Sequence, residues 1–265
     1  MVTTHGPPQF WAHPRFHLRP AHPTRGAALR SPSPALTTFL PPVMSSALLA
    51  ALDHSLLAPT TTEAELEDGA HDALRFGVAA YCMLPYFVPR ARALLRSSRV
   101  KTCTVVGFPH GAMSPRAKRR ECETALEDGA EEIDAVINVS AVLSEHWSRV
   151  DDEIGNLTRA CHQAGAKIKW IFETCYLTDA QIVRLCSMCA SHEVDWVKTS
   201  TGFGSGGATA AHVRLMKESS PPTMQVKASG GIRTLEEARH YLELGASRIG
   251  TSRTLAIAEQ LRTPS

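Results

Sequence analysis

Residues 194–209 read V-D-W-V-K-T-S-T-G-F-G-S-G-G-A-T, and residues 225–234 read Q-V-K-A-S-G-G-I-R-T. In each, a short β-type run reaches a lysine, Lys198 or Lys227, and a glycine-rich loop follows. Loops of this kind bring backbone N–H groups close to a ligand, an arrangement suited to phosphate. A doubly wound open sheet carries such a loop after its first strand, as G-x-G-x-x-G. No such motif occurs early in this chain, and the glycine clusters fall near its end. A (β/α)8 barrel places a phosphate site beside its last strands, so the barrel is the expected fold.

Working outward, short apolar runs alternate with longer amphipathic ones from residue 44 onward, the signature of βα units. The strands are expected at Ala51–Leu56, Ala79–Met83, Lys101–Val106, Glu132–Ile137, Lys167–Phe172, Asp195–Thr199, Met224–Lys227 and Ser247–Gly250. Thr62 with Glu65, Thr178 with Gln181 and Thr234 with Glu237 have capping-box spacing, and Ser114-Pro115 puts a cap before a proline at the first helical position. Gly77, Gly129, Gly165 and Gly245 each stand where a helix closes before a strand. The expected architecture is therefore a single α/β domain, a (β/α)8 barrel over residues 44–265.

Residues 1–43 differ from the rest. They hold nine of the seventeen prolines, four arginines, four histidines and no acidic residue. Proline at this density predicts a disordered or loosely extended segment. The prolines also spoil the amphipathic helix of a transit peptide, and no apolar signal core is present. Met44 as the natural start, or a dispensable tail, is the favoured reading of this extension.

The chain has 265 residues, 43% of them hydrophobic, with a formal net charge of +2. This composition offers no basic face for nucleic acid and no membrane surface. The longest apolar runs are strand-sized, so no transmembrane helix is expected. The seven cysteines are odd in number and scattered through apolar runs, which points to reduced thiols in a cytoplasmic setting. Cys186 and Cys189 form a C-x-x-C without a second pair and read as buried thiols on one helix face, not as a redox or zinc motif. His162, His192 and His240 sit in polar helical stretches and read as solvated. No metal site is expected.

The C-terminal ends of barrel strands face one mouth. In order they bring together Asp53, Cys82, the G-F-P-H-G of 107–111, Asp134 with Asn138, Lys169 with Glu173, Lys198 and Lys227. Charged groups within apolar strands are costly to bury unless paired. For Asp134 and Lys169 two readings stand: an ion pair that merely holds the barrel, or part of a reactive group. For Lys198 and Lys227, like charges at neighbouring strand ends repel, and a nearby ammonium frees an amine to attack a carbonyl. A surface lysine at a strand end is the alternative for either. Gly202, Gly204, Gly207, Gly230, Gly231, Gly250 and Ser252 form the candidate phosphate handle. Ser252 also suits a plain helix cap.

The runs L-D-H-S-L-L, T-V-V-G-F-P-H-G, E-I-D-A-V-I-N, I-K-W-I-F-E-T-C-Y-L-T-D, V-K-T-S-T-G-F-G-S-G-G-A-T, V-K-A-S-G-G-I-R-T and R-I-G-T-S resemble the deoxyribose-phosphate aldolase family. The resemblance spans residues 48–258 in the family's order and spacing. It implies a cofactor-free class I aldolase on a TIM barrel. Such an enzyme reversibly cleaves 2-deoxy-D-ribose 5-phosphate into acetaldehyde and D-glyceraldehyde 3-phosphate, in deoxyribonucleotide catabolism. Carried over by motif, Lys198 forms the Schiff base, Lys227 assists proton transfer, and Asp134 is its partner in the relay. Lys169 orients Asp134 and touches a substrate hydroxyl, with Asp53 and Cys82 in support. The family implies a homo-oligomer, dimer or tetramer. This chain departs from the common pattern at Ala58, Leu84 and Arg253, and it ends in Thr263-Pro264-Ser265 without the tyrosine some members carry. The alternatives are a related Schiff-base aldolase with another aldehyde partner and a catalytically silent barrel with a binding role.

Overall fold

The computed structural model describes residues 47–262. Segment 1–43, Met44 and the chain end at 263–265 lie outside the described residues, and with them the expectations placed there. Eight strands form the barrel: β1 (Leu52–Leu56), β2 (Ala80–Met83), β3 (Lys101–Val106), β4 (Glu132–Val136), β5 (Lys167–Ile171), β6 (Trp196–Lys198), β7 (Gln225–Ser229) and β8 (Arg248–Thr251). Each pairs in parallel with the next, and β8 closes on β1. The helices are α1 (Glu63–Phe76), α2 (Val88–Leu94), α3 (Pro115–Glu127), α4 (Val139–Leu143), α5 (Trp147–Gln163), α6 (Asp179–Ser191), α7 (Ala210–Glu218), α8 (Leu235–Glu243) and α9 (Thr254–Arg262).

The expected boundary signals act as read. Thr62, Thr178 and Thr234 each close a reciprocal capping box, and Ser114 accepts from Ala117 N ahead of α3. Gly77, Gly129, Gly165 and Gly245 take the left-handed backbone that ends their helices. One strand end differs in a way that matters. β7 runs to Ser229, so Lys227 lies mid-strand and not at the strand end. Its side chain therefore points into the barrel below the mouth.

Strand alternation sorts the side chains. Tyr81 on β2 and Trp170 on β5 face the helices, fully buried. Their polar atoms are satisfied there, Tyr81 Oη donating to Leu66 O at 3.0 Å and Trp170 Nε1 to Thr158 Oγ1 at 3.3 Å. Burying such a side chain contributes roughly 2–3 kcal/mol of transfer free energy. The inward set contains Ala80, Cys82, Cys103 and Val105, a small apolar wall on one side of the barrel. The opposite wall is charged. Cys186 and Cys189 are buried free thiols on α6, in keeping with the packing reading.

Two details outside the barrel differ from the sequence reading. His162 and His192 are not simply solvated, since their Nε2 atoms lie 3.0 Å from Asp195 and 3.0 Å from Asp151. Lys118 and Glu153 form a buried ion pair between α3 and α5 at 2.9 Å, and Lys118 Nζ also donates to Val136 O at 2.8 Å. The stem of Lys118 fills the space beneath Gly107, where a Cβ would lie 2.7 Å from its Cε. That contact seats the 107–111 loop on the barrel rim.

Candidate active site

The charged wall is built from strands β4 to β8 and closed by β1. Lys198, the last residue of β6, donates to Asp134 Oδ2 at 2.7 Å. Lys227, its register partner on β7, donates to the same oxygen at 2.8 Å. Lys169 takes the other oxygen, Oδ1, at 2.9 Å. Three ammonium groups thus surround one fully buried carboxylate. Lys227 also donates to Asp53, which is itself fully buried. The expected repulsion between Lys198 and Lys227 is relieved by the oxygen they share.

Two further residues complete the network, and the sequence reading assigned neither. Glu132 Oε2 accepts from Lys169 at 2.6 Å. Arg248 bridges Glu132, at 2.9 Å from Oε1, and Asp53, at 2.5 Å from Oδ1. Their signal was present as strand alternation: Glu132 is two residues before Asp134, and Arg248 is two before the inward-facing Gly250. Gly250 has to lack a side chain, because a Cβ there would meet Ser229 Cβ at 2.8 Å and Lys227 Cε at 3.1 Å.

The charges hold one another in place. Burial pushes the Asp134 carboxyl upward, but Lys169, Lys198 and Lys227 outweigh it and hold it well below the usual carboxylate range. Asp53 is opposed by burial in the same way and is drawn down to about 2 by Lys227, Lys169 and Arg248. Burial favours a neutral Lys227, yet Asp134 and Asp53 reverse this and raise it, so it stays an ammonium. A depressed carboxyl stabilises the fold fully above its unfolded value and loses that contribution as pH falls toward its folded value. For Asp53 the window runs from 3.8 down to about 2. The stability that Asp53 contributes, read as the difference between the parent and Asp53→Asn in acid unfolding followed by circular dichroism, is therefore expected to be lost only below about pH 4. Loss of that difference above about pH 5 would contradict this account.

Above the network lies a cavity of ≈ 410 Å³ lined by residues that include Lys198, Lys227 and Cys82 at its floor. Gly202, Gly230, Gly231, Gly250 and Ser252 line it too, together with Arg233 and Arg253. The other expected glycines are placed differently. A Cβ on Gly204 would lie 2.9 Å from Glu173 Cδ, and one on Gly207 would lie 2.2 Å from Gly230 O, so both serve loop packing and neither lines the cavity. Lys169 lies behind Asp134, fully buried and outside the cavity lining, which gives it Asp134 to orient but no opening toward a bound hydroxyl. Asn138 is the N-cap of α4 and is not part of the site. Glu173 is buried and accepts from Thr201 N at 3.3 Å, fixing the loop after β6. Of the departures from the family pattern, Ala58 and Arg253 line the cavity, while Leu84 packs beside the barrel wall.

Cys82, Cys103 and Asp134 bring donor atoms within 4.8 Å of one another, a spacing that a soft metal ion would accept. The chemistry does not favour one. Both Asp134 oxygens already accept from ammonium groups, and a dication would stand among three positive charges.

A buried lysine pair on one carboxylate, below a glycine-lined cavity, is the outline of a Schiff-base site. Residues 47–259 match the profile of the DeoC/LacD family aldolases. The chain belongs to this family. A deoxyribose-phosphate aldolase of Rhodopirellula baltica is 49% identical over 211 residues, covering 80% of this chain and 88% of that protein. One from Thermococcus kodakarensis is 43% identical over 210 residues, covering 78% and 94%. Among solved structures, the tetrameric deoxyribose phosphate aldolase of Aeropyrum pernix superposes with a TM-score of 0.77 at 31% identity, covering 83% of this chain and 93% of that one. The aldolase fold and the barrel described above are the same architecture.

Proposed function

We propose that this aldolase cleaves 2-deoxy-D-ribose 5-phosphate, reversibly, to acetaldehyde and D-glyceraldehyde 3-phosphate. The observation that carries the reading is the shared oxygen of Asp134, which holds Lys198 and Lys227 side by side at the cavity floor. Lys198 Nζ attacks the substrate aldehyde, loses water and forms an iminium. The C2–C3 bond then breaks as the C3 hydroxyl gives up its proton, and the electron pair flows into the iminium to leave an enamine. Lys227, which lines the cavity and is kept an ammonium by Asp134 and Asp53, is the acid we assign to protonate the enamine carbon, directly or through water, with Asp134 as its partner in the relay. Hydrolysis of the new iminium frees acetaldehyde and restores the amine.

The phosphate is assigned to the wall formed by Gly202, Gly230 and Gly231, whose positive φ lets backbone come close to a ligand. Arg233 and Arg253 add two cations to the cavity lining. Arg253→Ser is expected to raise KM for the phosphorylated sugar about 5- to 10-fold, as suits an exposed charge-assisted contact. KM for unphosphorylated 2-deoxyribose should stay the same. An equal change for both sugars would remove Arg253 from phosphate binding.

Acetaldehyde followed by borohydride, with peptide mapping of the intact protein, tests the assignment. A two-carbon adduct on the peptide holding Lys198 is expected. A folded protein without any adduct would overturn the aldolase reading and favour a binding role. No helix among the described residues is long and apolar enough to cross a membrane. A cytoplasmic homo-oligomer, acting on a small sugar phosphate and on no nucleic acid or membrane, is the setting we propose. The tetrameric Aeropyrum relative supports the assembly, and light scattering of the purified chain would measure it.

A further inference from the structure

Glu132 and Arg248 are absent from the cavity lining, yet both belong to the charge network beneath it. The barrel interior collects a titratable or charged side chain from every strand. These are Asp53 on β1, Cys82 on β2, Cys103 on β3, Glu132 and Asp134 on β4, Lys169 on β5, Lys198 on β6, Lys227 on β7 and Arg248 on β8. Beyond the strands, Glu173 is engaged by Thr201; at the start of β5, Lys167 stands with Arg248 over the ring of Trp196. Within the linked cluster there are three carboxylates and four cations, so one positive charge is in excess.

An attacking amine has to be neutral. If Lys198 gives up its proton while the other groups keep their charges, the cluster becomes balanced. Arg248 is the cation of the four that stays charged under all working conditions. Glu132 lies on the far side of Lys169 from Asp134, at 2.6 Å. Neither side chain touches Lys198; Glu132 reaches it through three charge links, by way of Lys169 and Asp134, and Arg248 through four. The route from Arg248 runs through Asp53, Lys227 and Asp134.

We propose that Arg248 and Glu132 are positioning residues that set the charge balance around Lys198 and so fix the pH at which the amine becomes available for attack. The proposal rests on Lys198 being the nucleophile, as argued above. The signs are opposite for the two residues. Removing the Arg248 charge leaves the cluster short of positive charge and favours the Lys198 ammonium, so activity is lost at a higher pH. Removing the Glu132 charge disfavours the ammonium, so activity persists to a lower pH. Two unit charges about 10 Å apart in a protein interior of effective dielectric ~20 interact by roughly one pH unit.

The test is the pH dependence of two rates in the full-length protein: kcat/KM for 2-deoxyribose 5-phosphate and trapping of acetaldehyde on Lys198 by cyanoborohydride. Arg248→Gln is expected to move the acid limb of both profiles up by about one pH unit, and Glu132→Gln to move it down by a similar amount. The double variant restores the charge count and should return the limb to its original position. Arg248→Lys should leave it there as well. A merely structural role predicts lower rates in every variant with the limb unmoved, and that result would overturn the proposal. Shifts of the same sign in both single variants would also overturn it. If Arg248→Gln does not fold, Glu132→Gln and the double variant decide alone. Absence of an adduct in the unaltered protein would instead count against the aldolase reading, so the two failures are distinguishable.

Discussion

Lys198→Leu is expected to lower turnover of the sugar phosphate by on the order of 10⁴-fold or more while leaving the protein folded. The loss is large because Lys227, the other amine lining the cavity, is kept an ammonium by Asp134 and Asp53, and without an iminium as electron sink the carbon–carbon bond does not break. The fold survives for a reason visible in the ion pairs. Asp134 keeps Lys169 at 2.9 Å and Lys227 at 2.8 Å, so the buried carboxylate is not left without a partner. Leucine is apolar and shorter than the stem and ammonium it replaces, and it continues the run of Trp196 and Val197. The measurement is aldol cleavage of purified variant beside its far-UV circular dichroism and thermal midpoint. Turnover within tenfold of the parent enzyme would show that another amine carries the chemistry.

Asp134→Asn should do the reverse, damaging stability as much as activity. The amide keeps the size but not the charge, and three ammonium groups lose their common acceptor. Lys169 retains Glu132 and Lys227 retains Asp53, but Lys198 has no second carboxylate within ion-pair distance among the described residues. An unbalanced buried charge typically costs about 3–5 kcal/mol, which in a domain of this size lowers the thermal midpoint on the order of 10 °C. Turnover should fall by about 10²- to 10⁴-fold as the relay loses its carboxylate. Calorimetry of the variant checks the first effect and a coupled assay the second. A thermal midpoint within about 2 °C of the parent would mean that the network is not held by Asp134.

The contrast between these variants also shows what was legible in the sequence. The eight strands, the capping boxes and the late glycine loops are local signals, carried by periodicity of 2 or 3.6 and by short spacings, and they led to the barrel. Lys198, Lys227 and Asp134 were legible because a charge in an apolar strand demands a partner. Which partner each one takes was not. Asp134 meets ligands from β5, β6 and β7, and Arg248 on β8 reaches Glu132 on β4, across the barrel and 116 residues away. Such a contact follows from closure of the sheet, and nothing near either residue announces it. The glycines failed differently. Gly204 and Gly207 look like ligand-facing residues in sequence, but a glycine that admits a neighbouring side chain or backbone is written with the same letter as one that admits a phosphate.

The backbone contact between the loops after β6 and β7 has a consequence for how this enzyme can change. Ala208 N donates to Gly230 O at 3.0 Å, and neither Gly207 nor Gly230 has room for a methyl group without displacing the other loop. The two loops are therefore riveted together, and a substitution at the rivet is penalised before it can alter what is bound. The segments over β1 and β8 carry no such rivet at Ala58 or Arg253, two positions that line the cavity. New acceptor aldehydes are to be sought there, by randomising residues 57–59 and 252–253 while the glycine loops are left untouched. Evolution of substrate range in this barrel has a fixed shore and a moving one.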